Sequence, residues 1–208
     1  MSIKCADLIT KYPNEWQAAT VHPFLDQCAD GSIKPQQFNT WLLQDYHFVT
    51  DFTRLLSNAL TVAPVAHFDV LLSGLQALQD ELNWFREKAA ERELSLDVER
   101  QETCQTYCAW MQGWRAQPYA VQATAIWAIE LAYNQGWQRP GPMKAPYTEF
   151  ADRWGNPLFT EYVKLLEQQA DEALTAASPE TQAEAEAAFK QVALQEKAFW
   201  QMAFAGEA

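Results

Sequence analysis

The chain has 208 residues, of which 27 are acidic and 15 basic, giving a formal net charge of −12. That balance argues against a surface for phosphate backbones or anionic membrane, so neither nucleic acid nor a membrane is an expected partner. No run of about 18 apolar residues occurs and the opening MSIKCADLITKYPNEW has no secretory apolar core, so the cytoplasm is the expected compartment.

Only 7 glycines stand against abundant Ala, Leu, Gln and Glu, which is a helical composition. No linker-like tract or repeat interrupts it, so one domain spanning 1–208 is expected. Residues 3–20 form an opening segment broken near Pro13. HPFLDQCADGSIKP reads as a loop, with an Asp30-Gly31 turn and Ser32 as an N-cap. From Pro35 to about Thr61, Phe38, Trp41, Leu42, Phe48, Val49, Phe52, Leu55, Leu56 and Ala59 make a stripe of 3.6-residue period.

Pro64 separates this from a helix over about 65–93, with Phe68, Leu71, Leu72, Leu75, Leu78, Leu82 and Phe85 inward. Asp97 is the expected cap of a fourth helix running to about Arg115. Pro118 opens a fifth, with a glycine stop expected at Gly136. QRPGPMKAP is a loop. A sixth segment runs from Pro146 to about Ala176, interrupted at Trp154-Gly155-Asn156-Pro157. Ser178-Pro179-Glu180 pairs an N-cap with proline at the first helical position, and the last helix runs towards Met202. No strand alternation competes, so the fold class is all-α.

Three carboxylates fall where the pattern demands apolar residues. Asp45 breaks the stripe 38, 41, 42, 45, 48, 49, 52. Glu196 breaks the stripe Ala185, Ala188, Phe189, Val192, 196, Phe199, Ala203. Glu130 is the sole charge between Ala116 and Gln138, in a helix so apolar that it should be central. Each would cost several kcal/mol if buried alone. They are therefore held by Arg or helix ends, or they face a wet pocket and perform acid–base or amine-binding work.

A di-iron site would need Glu-x-x-His pairs, but Ala19, Gln44 and Pro64 precede His22, His47 and His67 by three. No metal and no cofactor is expected. Cys104 and Cys108, one turn apart, read as small core residues or a reactive thiol pair. Phe48, Tyr107, Tyr133, Trp154 and Phe199 could wall a slot for a flat ring, with an aspartate accepting hydrogen bonds from an exocyclic amine and a protonated ring nitrogen. The residues alone thus suggest an acidic, aromatic pocket for a small planar amine.

His22-Pro23-Phe24, Asp30-Gly31, Phe38 and Leu43-Gln44-Asp45-Tyr46 closely resemble the signature of the TenA family. Glu196, Phe199 and Trp200 resemble its closing Glu-x-x-Phe-Trp motif, and Tyr107 and Trp154-Gly155 fall at family-like positions. The resemblance implies a haem-oxygenase-like helical bundle, a homo-oligomer (dimer or tetramer) and salvage of the pyrimidine half of degraded thiamin. It assigns Asp45 to the aminopyrimidine, Phe48 and Phe199 to its ring faces, Tyr107 to the reacting side and Glu196 to the leaving amine.

The common class of that family places a nucleophilic cysteine where this chain has Ala128. Trp127-Ala128-Ile129-Glu130 and Gln79-Asp80-Glu81-Leu82-Asn83-Trp84-Phe85 resemble instead the cysteine-lacking variant familiar from plants. Glu81, within that signature, joins Tyr133 and Trp154 of the aromatic slot among the expected substrate contacts. The likeness implies hydrolysis of aminomethyl- or formylaminomethyl-pyrimidine by two glutamates, with Glu196 as acid and Glu130 as base. The competing readings are a non-catalytic pyrimidine-binding regulator and a haem protein with His22 as axial ligand.

Overall fold

A computed structural model describes residues 3–206. Among these the chain is all-α, with ten α-helices, two short 3-10 turns and no strand. The described residues gather into two compact units, the first from residues up to Ile33 with Pro118–Gln201, the second from Lys34–Gln117 with the chain from Met202 onward.

The first unit is organised around one helix. In chain order it holds α1 (Cys5–Lys11), α2 (Pro13–Thr20), α3 (Pro23–Asp30), α7 (Tyr119–Gln138), α8 (Thr148–Trp154), α9 (Pro157–Ala176) and α10 (Pro179–Ala205), whose residues 202–205 count with the second unit. Sixteen of the 20 residues of α7 are buried, and α2, α8 and α9 pack against it. A helix apolar on every side can satisfy itself only by being surrounded, and here it is.

Local chemistry sets the helix starts. The Asn156 side chain accepts from the Phe159 N–H at 2.9 Å, with Pro157 next in the chain. The Ser178 hydroxyl accepts from the Thr181 N–H at 3.2 Å, with Pro179 opening α10. Gly155 is demanded by crowding, because a Cβ there would lie 2.6 Å from the Ala151 carbonyl oxygen.

Two expectations fail in this unit. HPFLDQCADGSIKP contains the helix α3, not only loop. His22 caps it by accepting from the Phe24 N–H through Nδ1 at 3.1 Å, Pro23 takes the first helical position, and Gly31 ends it at φ 78° in the left-handed region. Gly136 is no stop either, since α7 continues to Gln138. Gly136 instead admits a neighbour: a Cβ would sit 3.3 Å from a Leu25 methyl.

The second unit packs α5 (Phe68–Glu91) and α6 (Glu102–Gln112) against the 28-residue α4 (Pro35–Val62). Every apolar position of the α4 stripe is buried, and so is Asp45. Burial of a large apolar side chain stabilises by about 1.5–3 kcal/mol, so this stripe fixes which face of α4 turns inward.

Ser32 does not cap α4. Its N–H donates to the Asp30 carboxylate at 2.8 Å, and the cap position is Lys34. Leu72 is 49% exposed, whereas Leu71, Gly74, Leu78, Phe85 and Ala89 form the buried face of α5. Asp97 does not cap α6 either. Residues 94–101 run as a loop, and the helix begins after Gln101.

Candidate active site

Each unit supplies its own share of the expected residues. In the first, Glu130 and Tyr133 lie on α7, Trp154 ends α8, and Glu196 and Phe199 lie on α10. All five are buried.

Ring contacts join α7 to α10. Trp127 stacks on Phe189 at 5.8 Å, Tyr133 meets Trp200 at 5.5 Å, and Trp137 meets Trp200 edge-on at 6.2 Å. At 3.6 residues per turn, residues seven apart share a face to within about 20°. Glu196 therefore shares a face with Phe189, seven before it, and lies one turn from Trp200. Glu130 likewise shares a face with Trp137 and lies one turn from both Trp127 and Tyr133. Both glutamates thus lie on the facing sides of α7 and α10, between the ring contacts that bracket them.

The aromatic frame there is fixed by hydrogen bonds. Trp200 donates its indole N–H to the Ala19 carbonyl at 3.0 Å, and Trp16 donates to Gln135 Oε1 at 2.9 Å. Trp154 meets Tyr133 edge-on at 5.9 Å, and its carbonyl accepts from Asn134 Nδ2 at 2.7 Å. Gln138 Nε2 donates to the next carbonyl, that of Gly155, at 3.0 Å.

In the second unit, Asp45 and Phe48 stand three apart on α4, and the Phe48 ring lies 4.8 Å from that of Tyr107 on α6. Glu81 is half-buried on α5, one turn before Phe85.

The sequence pattern missed a polar stripe beside these residues, buried at Gln44 and Asp51 and half-buried at His47. Gln44, His47 and Asp51 recur on α4 at spacings of three and four. Gln44 Oε1 accepts from the Gln101 N–H at 2.9 Å while its Nε2 donates to the Glu99 carbonyl at 3.1 Å. His47 Nε2 donates to the Val98 carbonyl at 3.0 Å, and burial pushes its pKa below the usual imidazole value.

Asp51 has both oxygens engaged, 2.6 Å from Arg54 Nη1 and 2.6 Å from Arg100 Nη1, and Gln112 Nε2 donates to it at 3.2 Å. Burial pushes its carboxyl up, but the two guanidinium groups outweigh that and hold it below the usual aspartate value. This is a fourth buried carboxylate, with the arginine pairing of a structural one. The only sequence signal was an acid beside a complete apolar stripe.

The Cys5 and Cys108 thiols are poor nucleophiles. All four cysteines are buried and none is in a disulfide. Cys104 and Cys108 lie with their sulfurs 3.9 Å apart. The hydrogen bond to Cys104, together with burial, pushes the Cys108 thiol far up, and burial beside Asp171 does the same to Cys5. A thiol so placed carries almost no thiolate at neutral pH.

His22 is unsuited to axial haem ligation, because both ring nitrogens are in use: Nδ1 caps α3 and Nε2 donates to Gln201 Oε1 at 3.4 Å. Among the described residues, no group of three or more His, Cys, Asp or Glu is arranged to hold a metal ion. None of their helices is long and apolar enough to cross a membrane.

The chain is similar to known proteins over most of its length. The chain is 33% identical over 203 residues to a Glycine max protein named "Probable bifunctional TENA-E protein", covering 90% of this chain and 87% of that one. It is 26% identical over 218 residues to an "Aminopyrimidine aminohydrolase" of Halalkalibacterium halodurans, covering 96% of this chain and 94% of that one. The crystal structure of a TenA homologue from Pyrococcus furiosus superposes with a TM-score of 0.91 at 27% identity, covering 96% of this chain and 98% of the other. The model of the TENA/THI-4/PQQC family matches residues 11–205, and the chain belongs to that family.

Proposed function

We propose that this protein is a thiamin-salvage hydrolase that, without a cysteine nucleophile, cleaves the methylene C–N bond of aminomethyl-pyrimidines and the amide C–N bond of formylaminomethyl-pyrimidines. The observation that carries the proposal is the pair Glu130 and Glu196, buried on facing sides of α7 and α10 among aromatic rings. Two carboxyl groups serving one reaction can divide the work of acid and base between them. One then works as acid and the other as base.

On the aminomethyl substrate, Glu130 takes a proton from water as the water oxygen bonds to the exocyclic carbon. Glu196 gives its proton to the departing nitrogen as the C–N bond breaks, yielding the hydroxymethyl product and ammonia. On the formylamino substrate the same pair directs water to the formyl carbon, releasing formate and the free amine. The resemblance to the family assigns Asp45 to the aminopyrimidine edge and Phe48 and Phe199 to its ring, with Tyr133 and Trp154 read alongside them as aromatic contacts. Tyr107 serves the reacting side and Glu81 contributes a further polar contact.

Three observations support the cysteine-free route. Residue 128, on the buried face of α7, is alanine. The Cys5 and Cys108 thiols are pushed away from ionisation. The Glycine max relative bears the TENA-E name. A homo-oligomer, dimer or tetramer, belongs to the same proposal and is read directly by light scattering.

The test is to incubate purified protein separately with each pyrimidine and with thiamin and to separate the products by chromatography. Conversion of a pyrimidine with thiamin left intact, lost in Glu196→Gln, is the expected result. Tight pyrimidine binding with no turnover would overturn the enzyme reading and make the protein a pyrimidine sensor.

A further inference from the structure

The polar stripe of α4 has a use beyond holding charge. Gln44 meets the N–H of Gln101, the residue immediately before α6, and Asp51 meets the side chain of Gln112, its last residue. Between these two fixed points lies Tyr107, five residues from the end of the helix, with its ring 4.8 Å from Phe48 on α4. The lead-in strand of loop is held too, at Val98 by His47, at Glu99 by Gln44 and at Arg100 by Asp51.

We infer that Gln44 and Asp51 are positioning residues that clamp α6 at both ends and thereby fix the Tyr107 hydroxyl for the reaction. The inference rests on the proposed role of Tyr107.

The physical case is about the length of α6. An isolated helix of 11 residues is marginal in water, because few residues repay the cost of its nucleus, so its ends fray. Its first N–H groups also lack partners within the helix. No side chain within α6 caps it, as Gln101 makes no side-chain cap bond. The cap comes from α4, 57 residues away in the chain. At the other end, Asp51 is itself immobilised by Arg54 and Arg100, so Gln112 is tied to a rigid anchor. A helix pinned at both ends holds its middle residue to the tolerance catalysis requires. A displacement of about 1 Å can cost roughly a hundredfold in rate.

Two readouts test this, one of them independent of turnover. In amide hydrogen exchange, Gln44→Ala is expected to raise exchange in the first turn of α6, and Gln112→Ala in its last turn. Gln112→Ala removes one bond from an exposed residue and leaves the Asp51 ion pairs intact, so it keeps the test usable where Asp51→Asn fails to fold. Unchanged exchange across α6 in both alanine variants would overturn the clamp.

In turnover of the aminomethyl-pyrimidine, Gln44→Ala is expected to lower kcat by about 10–100-fold with KM within a few-fold of the wild type. Added to Tyr107→Phe, it should cause no further loss, because both changes act through one hydroxyl. Multiplicative losses would show that Gln44 acts elsewhere and overturn the positioning role. Full turnover in Tyr107→Phe alone would instead remove the assigned role of Tyr107, leaving the clamp itself to be judged by exchange.

Discussion

The α7–α10 pair of the first unit and the α4–α6 pair of the second both bury carboxylates, and they do so in opposite surroundings. Around Asp51 the protein assembles two arginines and a glutamine from three segments of chain. Around Glu130 the sequence supplies no other charge from Ala116 to Gln138, and the faces of both helices are lined by Trp127, Tyr133, Trp137, Phe189 and Trp200. A carboxylate given cations is held ionised and holds the fold. Glu130 and Glu196 sit instead on helix faces lined by aromatic rings, and the proposed acid–base role draws on that setting. Burial alone does not separate these two classes; the chemical nature of the neighbours does.

The largest expected effect lies in the first pair. Glu130→Gln and Glu196→Gln should each lower turnover of the pyrimidine by about 100-fold or more, since general acid–base catalysis contributes on that order. The two variants should differ in pH profile. Activity that needs a deprotonated base rises with pH, so Glu130→Gln should lose the acid limb. Activity that needs a protonated acid falls with pH, so Glu196→Gln should lose the alkaline limb. Swapped limbs would reverse the assignment of the two roles.

The second pair should respond in stability. Asp51 is buried but Arg54 is exposed and Arg100 half-buried, so Asp51→Ala leaves no buried charge unpaired and should cost about 1–3 kcal/mol, read as a lowered denaturation midpoint. Its pH dependence has a definite sign. The folded pKa of Asp51 is depressed, so its contribution is fully present above the ordinary aspartate pKa of about 3.9 and is lost as pH falls through the lower folded value. The midpoint of the wild type should therefore fall on acidification through that window, and that component should be missing from Asp51→Asn. Equal acid sensitivity in the two proteins would contradict the role given to Asp51.

Much of this contrast was legible in the sequence, and the missing part has a physical reason. Asp45, Glu130 and Glu196 announced themselves by breaking apolar periodicity, which needs no knowledge of tertiary structure. Asp51 did not, because its meaning depends on Arg100, 49 residues away, and no local pattern carries that pairing. The helix α3 was hidden by an unusual cap. His22, not a Ser, Thr, Asp or Asn, accepts the orphan N–H, and only Pro23 and Gly31 hinted at the two ends. Gly136 misled in the other direction, since it serves the approach of Leu25 and not a turn. Leu72 shows that a run of leucines over-specifies a helix face. Leu71 and Leu78 suffice, and Leu72 faces outward.

Smaller effects sharpen the picture further. Gly155→Ala should cost about 1–3 kcal/mol, because the added methyl has no room beside the Ala151 carbonyl. Leu71→Ala should cost about 2–5 kcal/mol, whereas Leu72→Gln should change stability by less than about 0.5 kcal/mol. Chemical denaturation of the pair reads this directly, and equal losses would return Leu72 to the core. Smallest of all in activity, Cys104→Ser and Cys108→Ser should leave turnover within a few-fold of the wild type, since no thiolate takes part. A hundredfold loss in Cys108→Ser with the fold intact would restore a cysteine mechanism.

The most direct test measures turnover and thermal midpoint together in the single variant Glu196→Gln. Turnover of the aminomethyl-pyrimidine should collapse while the midpoint changes little, because the amide keeps the size and shape of the group it replaces. Retained turnover with a lowered midpoint would put Glu196 in the class of Asp51, as a residue that builds the fold and takes no part in the chemistry.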